Sequence, residues 1–565
     1  MSKITLLPPE IFQKIAAGEI IERPFSVVKE LVENSLDAEA SGIKIDLLEG
    51  GKNLIRVTDD GQGMSRDDAH VCFKRHSTSK ILEEGDLNQI STLGFRGEAL
   101  PSISAVSRVI LKTSESKEER GTLIEREGEK VQQVADCAFP KGTGIEVKDL
   151  FFNLPARRKF LRSEKHELSQ IAKYLTNLAL ANWEVRFSLN HGDRAIFNYP
   201  PVKGLKERIY QIYGKSLLER LMEIDYEEEG RRLFGYVSRP PSGRRDKRQQ
   251  FFFINRRTVR DKILLTALNR VFQGFLEKEH FAEAFLFLDL PFSEVDVNVH
   301  PAKSEVRFKD SRPIFRLVHI SIERAVLKEL GVKEVYPKKE GYTGLEIEEE
   351  ARPFLFKQTQ NRRAEIQDFF VPMEETKEIY PRVLGQYLDT YIVVATEEGI
   401  LIVDQHNAHE RVLFEKYEDL DLSKNWPRKL ALLPILFDLS PSQVLSLENT
   451  QDLLEEAGFR VEAMGGQSFA LKEYPDIFKE EEAKDVFFSL LEEIKEEKIE
   501  ERKKKILSTL ACKTAIKAGE SLAHEKMIYL IGELFKISNA ALCPHERPIT
   551  VRLKRSEIEK GLRRS

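Results

Sequence analysis

The chain has 565 residues, 41% of them hydrophobic and 32% charged, with a formal net charge of −5 at pH 7. That length holds about two to four domains, and the acidic balance excludes a uniformly basic nucleic-acid coat, so any such contact must come from local patches. Four cysteines, Cys72, Cys137, Cys512 and Cys543, are too few and too scattered for a disulfide framework. With no apolar run of about 18 residues and no export leader, a cytoplasmic location without a membrane partner is expected.

Residues 1–28 open with Ile4, Leu6, Leu7 and two prolines, then Ile11-Phe12-Gln13-Lys14-Ile15-Ala16-Ala17-Gly18-Glu19, a short amphipathic helix with a glycine near its end. Next, Glu30-Leu31-Val32-Glu33-Asn34-Ser35-Leu36-Asp37-Ala38 puts Glu30, Asn34 and Asp37 or Ala38 on one helical face, leaving Leu31, Val32, Ser35 and Leu36 to pack. A carboxylate and a carboxamide one turn apart suit a magnesium nucleotide. The Asn34 oxygen is a hard ligand, and Glu30 can take a proton from an attacking water.

Alternating Leu54-Ile55-Arg56-Val57-Thr58 reads as a strand and runs into Asp59-Asp60-Gly61-Gln62-Gly63-Met64. Gly61 and Gly63 let backbone approach a ligand closely, and Asp59 can accept from the exocyclic amine of adenine. Arg75-His76-Ser77-Thr78-Ser79-Lys80 and Gly94-Phe95-Arg96-Gly97-Glu98-Ala99-Leu100 supply hydroxyls, a lysine and a glycine-flanked loop opening a helix. These are the parts of a phosphate cradle and a mobile lid. Alone, each motif is a common turn or a solvated helix; in order within about 70 residues they point to an ATP site built without a P-loop. Gly142-Thr143-Gly144-Ile145-Glu146-Val147 reads as a turn into a strand near the nucleotide.

These three signatures resemble the GHKL-type ATPase shared by DNA gyrase, heat-shock chaperones, histidine kinases and MutL, and their wording is most similar to that of the MutL family of DNA mismatch repair proteins. The resemblance covers roughly 1–330 and 382–555. It implies an α/β fold: an α+β sandwich of the Bergerat ATPase type (1–205), a second α/β, transducer-like subdomain (206–332), a flexible linker (333–380) and a separate α+β C-terminal dimerisation and endonuclease domain (381–565). It further implies that the N-terminal arm crosses to a partner subunit when ATP binds, giving a homodimer.

From Arg239 onward the chain turns basic: Arg239, Arg244, Arg245, Lys247, Arg248, Arg256, Arg257, Arg260 and Lys262 face only Asp246 and Asp261. Mounted beside an apolar strand, Phe251-Phe252-Phe253-Ile254, they read as a sequence-tolerant, salt-sensitive contact to double-stranded DNA, with Arg256, Arg257, Arg260 and Lys262 as its candidates. Val295-Asp296-Val297-Asn298-Val299 then leads into His300-Pro301-Ala302-Lys303, and the resemblance implies that Lys303 reaches the γ-phosphate. Residues 333–380 lose periodicity and read as a tether.

Two strands, Tyr391-Ile392-Val393-Val394 and Ile400-Leu401-Ile402-Val403, end on Asp404-Gln405-His406-Asn407-Ala408-His409-Glu410-Arg411. Asp404, His406 and Glu410 can converge on one point, and Cys543-Pro544-His545 adds a thiolate and an imidazole, together a site for a zinc-like or manganese-like ion. These stretches resemble the endonuclease motifs of MutL proteins that nick DNA, which implies Asp404, His406, Glu410, Cys543 and His545 as metal ligands. In that reading Asp404 and Glu410 are catalytic and Glu410 is a candidate bridge. Asn407 departs from the family's Ala and Glu546 from its Gly. If that Gly holds a positive φ, Glu546 costs about 1 kcal/mol. The sliding-clamp motif is degenerate, with Lys429 in place of Gln ahead of Leu430-Ala431-Leu432-Leu433-Pro434. Partners implied are therefore double-stranded DNA, a second copy of the chain, a mismatch-sensing MutS protein and, less directly, the clamp. A matchmaker that dimerises and recruits other factors without cutting is the alternative reading.

Overall fold

The structure, a computed structural model, describes residues 20–80, 94, 97–115, 120–244, 249–276, 280–296, 306–331, 381–419, 426–493, 499–517, 519–537 and 541–562. The chain forms two compact units, residues 1–331 with 416–514, and residues 332–415 with 515–565. Both mix helices with sheets, the α/β class read from the sequence.

In the first unit, helix Pro24–Asp37 starts on a proline, whose missing N–H is harmless in a first turn. Val27, Val28, Leu31, Val32 and Ser35 recur at helical spacing and are buried, while Glu30, Asn34 and Asp37 remain half-buried. The helix packs on a strand of an eight-stranded sheet and on helix Glu164–Ala181. The sheet's strands are β1 Gly42–Leu48, β2 Leu54–Asp59, β3 Arg108–Ser114, β4 Arg120–Glu127, β5 Lys130–Ala138, β6 Gly142–Lys148, β7 Arg186–His191 and β8 Arg194–Tyr199, in the order β5-β4-β3-β6-β2-β1-β7-β8. Strands β1 and β7 run parallel. On β1, Ile43, Ile45 and Leu47 alternate into the core. Register sets Asp59, the last residue of β2, opposite Thr143 on β6.

A second sheet, from β9 Leu221–Glu228, β10 Arg231–Ser238, β11 Gln250–Ile254, β12 Arg257–Val259 and β13 Ala284–Asp289, has the order β12-β11-β13-β10-β9. Alternation splits the apolar run of β11 between two cores. Phe253 stacks on Phe287 with ring centroids 4.3 Å apart and joins the core of the first sheet. Phe252 and Ile254 pack instead with residues of helices Lys262–Phe272 and Ser311–Glu329. Strands β14 Val295–Asp296 and β15 Arg307–Phe308 form a short ribbon. The rest of the expected strand, Lys303, the N-terminal arm through residue 19 and the tether at 333–380 lie outside the described residues.

Also in this unit, β19 Arg428–Asp438, β20 Arg460–Gly465 and β21 Ser468–Pro475 form a three-stranded sheet beside helices Pro441–Glu456, Glu480–Glu493 and Ile499–Thr514. The second unit holds β16 Arg382–Tyr387, β17 Tyr391–Thr396, β18 Gly399–Asp404 and β22 Thr550–Lys554, in the order β16-β17-β18-β22. Ile392, Val394, Leu401 and Val403 form a core with Met527, Leu530, Ile531 and Leu534 of helix His524–Lys536. The amphipathic pattern of residues 519–535 would let this helix begin at 519. It begins later because Gly519 holds a φ of 83° and the Gln386 side chain takes the Leu522 N–H at 3.0 Å, so 519–523 stay irregular.

Candidate functional site

Backbone contacts gather the first site. Gln62 N donates to Ala38 O at 2.9 Å, and His76 N donates to Gly97 O at 3.1 Å. A Cβ on Gly61 would meet Ala38 O at 2.7 Å, so the turn after β2 can press against the helix end only as glycine. Gly63 (φ 75°) and Gly97 (φ 61°) need the left-handed region, and a Cβ on them would strike Ser114 O at 2.0 Å and Ser77 O at 2.5 Å.

Asp59 accepts from Ser35 Oγ at 2.7 Å, Gly61 N at 3.0 Å and Thr143 N at 3.2 Å. Burial pushes its carboxyl above the ordinary carboxylate range, opposed by those three bonds. Thr143 shares its hydroxyl with Thr113 at 3.1 Å, and Thr113 also accepts from Met64 N at 2.9 Å. Across the site, Lys80 Nζ donates to Asn34 Oδ1 at 2.9 Å and to Asp37 Oδ2 at 2.5 Å, while Gly94 N donates to the same Asp37 oxygen at 3.0 Å. Thr78 Oγ1 accepts from Lys80 N at 3.1 Å. Asn34, Asp37, Ala38, Asp59, Gly61, Gly63, Thr78, Lys80, Gly94, Gly97 and Thr143 are thus brought into one neighbourhood, with Glu30 one turn along the helix. Ser79 is exposed, and Phe95, Arg96 and Lys303 are outside the described residues. Ser35 was missed in the sequence because its hydroxyl sits in an apolar stripe; a polar residue inside such a stripe is the signal that could have found it.

The second site lies in the second unit. Glu410, 1% exposed, sits 2.7 Å from His545 Nδ1, and Glu410, Cys543 and His545 offer ligand atoms within 4.8 Å of one another. His406, one turn before Glu410, places a ring nitrogen within 4.8 Å of a Glu410 oxygen. The Ile516 carbonyl lies 2.8 Å from His406 Nδ1. Since a carbonyl can only accept, Nδ1 carries the proton and Nε2 keeps its lone pair for a cation. His409 Nδ1 accepts from Ile516 N at 2.9 Å, so two histidines grip one residue. Burial pushes the Cys543 thiol up, and the Glu410 carboxylate adds to that; a bound cation would reverse both effects. A buried carboxylate, a thiol and an imidazole within 4.8 Å of one another, with the His406 imidazole on the same carboxylate, are a donor set that fits a zinc-like or manganese-like ion. Asp404 is not part of this cluster among the described residues; its Oδ1 accepts from Asn407 N at 2.9 Å and caps the helix. The Asn407 amide donates to Pro548 O at 3.1 Å, tying the helix to the Cys543 loop. Fully buried Gln405 donates to the carbonyls of Asp389 and Lys517 at 2.9 Å and of Glu520 at 3.0 Å, a scaffold that its place in the motif did not disclose.

Three known families match successive stretches of the chain. A histidine kinase-, DNA gyrase B-, and HSP90-like ATPase family matches residues 21–149, a DNA mismatch repair protein C-terminal domain matches 209–327, and the MutL C terminal dimerisation domain matches 384–522. The DNA mismatch repair protein MutL of Koribacter versatilis is 35% identical over 648 residues, and that of Caldanaerobacter subterraneus subsp. tengcongensis 34% over 590, each spanning 100% of both chains. The chain belongs to the MutL family of DNA mismatch repair proteins. Among solved structures, the Aquifex aeolicus MutL ATPase domain complexed with ADP is 30% identical, covering 53% of this chain and 98% of that one, at a TM-score of 0.38. As a MutL family member, the chain carries an ATP-binding ATPase domain and a dimerisation domain. No helix among the described residues is long and apolar enough to cross a membrane.

The four candidate DNA contacts separate in the structure. Arg260 and Lys262 are exposed, flanking Asp261, which caps helix Lys262–Phe272. Arg256 is exposed but pairs with Glu184 and stacks over the Trp183 ring at 5.1 Å. Arg257 is half-buried, and burial pulls its guanidinium below the usual range against the attraction of Glu33 and Asp37.

Proposed function

We propose that this MutL family protein is an ATP-switched, homodimeric DNA clamp that nicks one strand of mismatch-containing DNA at its C-terminal cluster. The convergence of Glu410, Cys543 and His545 within 4.8 Å, with His406 held in its ligand tautomer, is the observation that carries the nuclease part. Domain boundaries near 205, 332 and 380 belong to this reading, as does service alongside a MutS mismatch sensor.

In the ATPase, Asn34 would hold the nucleotide's Mg2+, Asp59 the adenine amine, and Thr78, Ser79, Lys80 and the loop of Gly94, Phe95, Arg96 and Gly97 the phosphates. Glu30 would act as general base, a role typically contributing 10²–10⁴-fold, and Lys303 would reach the γ-phosphate. At the C-terminal site His406, Glu410, Cys543 and His545, with Asp404 at the helix start, would hold Mn2+ or Zn2+. Such an ion supplies charge neutralisation for the attacking and leaving oxygens of a phosphodiester. DNA phosphates are assigned to exposed Arg260 and Lys262, since Arg256 and Arg257 are engaged. The dimer surface is assigned to the open face of the β16-β17-β18-β22 sheet. Register puts Val393 beside Ile402, Ile402 beside Val551 and Ile400 beside Leu553 there, and Val551 is 60% and Leu553 41% exposed. Lys429 pairs with Asp476, so no clamp contact is proposed.

A nicking assay on supercoiled plasmid with Mn2+ tests the reading, comparing wild type with Asp404→Asn and Cys543→Ser. Both substitutions are expected to abolish nicking. The helix-capping role of Asp404 favours a second reading, the ATP-dependent matchmaker; no nicking by wild type, or nicking that neither substitution affects, would support it.

A further inference from the structure

Three side chains of the first site stand in one row across the eight-stranded sheet. Register sets Asp59 on β2 opposite Thr143 on β6, and Thr143 opposite Thr113 on β3, so the three leave the same face. Thr113 continues the buried alternation of Val109 and Leu111 on β3, where packing alone would take a valine. Its hydroxyl bonds admit one direction. Met64 N can only donate, and it does so to Thr113 Oγ1 at 2.9 Å. The Gly142 carbonyl can only accept, and at 3.0 Å it takes the single Thr113 proton. The 3.1 Å bond between Thr113 and Thr143 must then be supplied by Thr143. With its proton spent inward, the Thr143 hydroxyl has only lone pairs to offer a ligand. Asp59 is in the same condition: Gly61 N and Thr143 N donate to its Oδ1 and Ser35 Oγ to its Oδ2, so these protons too are directed at the protein.

We propose that Thr113 is a positioning residue for base specificity: by fixing the direction of the Thr143 hydroxyl, it makes this corner of the site accept and never donate. Such a corner takes a purine with an amine at position 6. It rejects one with a carbonyl there, because the carbonyl oxygen meets two acceptors and no donor. This rests on the proposed reading of Asp59 as the adenine contact. Thr113 itself touches no part of the base; it acts through Thr143.

The test measures Kd, on the full chain with Mg2+, for the β,γ-imido analogues of ATP and of inosine triphosphate, which carries a carbonyl in place of the amine. The wild type is expected to prefer the ATP analogue about a hundredfold or more. Thr113→Val frees the Thr143 proton to face the ligand and should cut that preference about tenfold, the size of one hydrogen bond gained. Thr113→Ser keeps the chain of protons and should keep the preference. A merely structural loss at position 113 weakens both analogues alike and leaves their ratio unmoved, and that result overturns the proposal. Thr143→Val reads the same corner with Thr113 intact. It should also cut the preference, and Thr113→Val should then add nothing. An unchanged preference in Thr143→Val, or a further tenfold fall in the double variant, overturns the proposal. A wild type with no preference between the analogues would instead overturn the adenine reading of Asp59.

Discussion

On the proposed reading Asp59 accepts a hydrogen bond from adenine most strongly as a carboxylate, yet burial opposes its charge. Its folded carboxyl lies above the ordinary 3.8, so the folded chain holds that proton to a higher pH than the unfolded chain does. At neutral pH Asp59 therefore subtracts stability, and the deficit is relieved as pH falls through the raised value toward 3.8. If Asp59 holds adenine as proposed, ATP affinity is expected to move the other way, weakening over that window. Asp59→Asn should leave the melting temperature unchanged or higher while weakening ATP binding about 10- to 150-fold, the loss of a charge-assisted hydrogen bond. Calorimetry and equilibrium titration read the two effects, and a lowered melting temperature would make Asp59 a scaffold residue. Glu546 offers a cleaner stability test, because it holds a φ of 61° where the family pattern has Gly. Glu546→Gly is expected to raise unfolding stability by about 1 kcal/mol in denaturant titrations, and no gain would mean that the loop compensates the strain.

Elements whose chemistry requires a particular backbone were legible in the sequence. Helix Pro24–Asp37 forms over the expected motif because its apolar spacing and its polar face agree, and β2 delivers Asp59 to its turn because alternation fixes its register. What stayed hidden was where cations go. Arg256 and Arg257 look like Arg260 and Lys262 in a basic run, since a charge has the same letter whether it meets solvent, phosphate or a buried carboxylate. Only the hairpin's placement separates them. The sheet β16-β17-β18-β22 shows the opposite case: apolar residues stand on both its faces, yet Val551 and Leu553 stay exposed on one, the face proposed for a second copy. Val551→Asp or Ile402→Asp should raise the dimer dissociation constant about 30-fold or more, as expected for a central interface residue, while each chain still binds ATP. Analytical ultracentrifugation measures this, and an undisturbed dimer would move the interface elsewhere.

At the scale of the molecule, an ATPase domain and a dimerisation domain stand in one chain, alike in full length to MutL proteins of the family. The C-terminal cluster of Glu410, Cys543 and His545 was legible as residue types, whereas Asp404, expected beside them, caps the helix instead. The tautomer control of His406 by Ile516 was not legible, because a backbone carbonyl carries no sequence signature. Everything in the account passes through the face of helix Pro24–Asp37 that holds Glu30 and Asn34. The measurement that tests it most directly is ATP binding and turnover by Glu30→Ala. Affinity should stay near that of the wild type while hydrolysis falls about 10²–10⁴-fold; hydrolysis that persists, or binding that is lost, would contradict it.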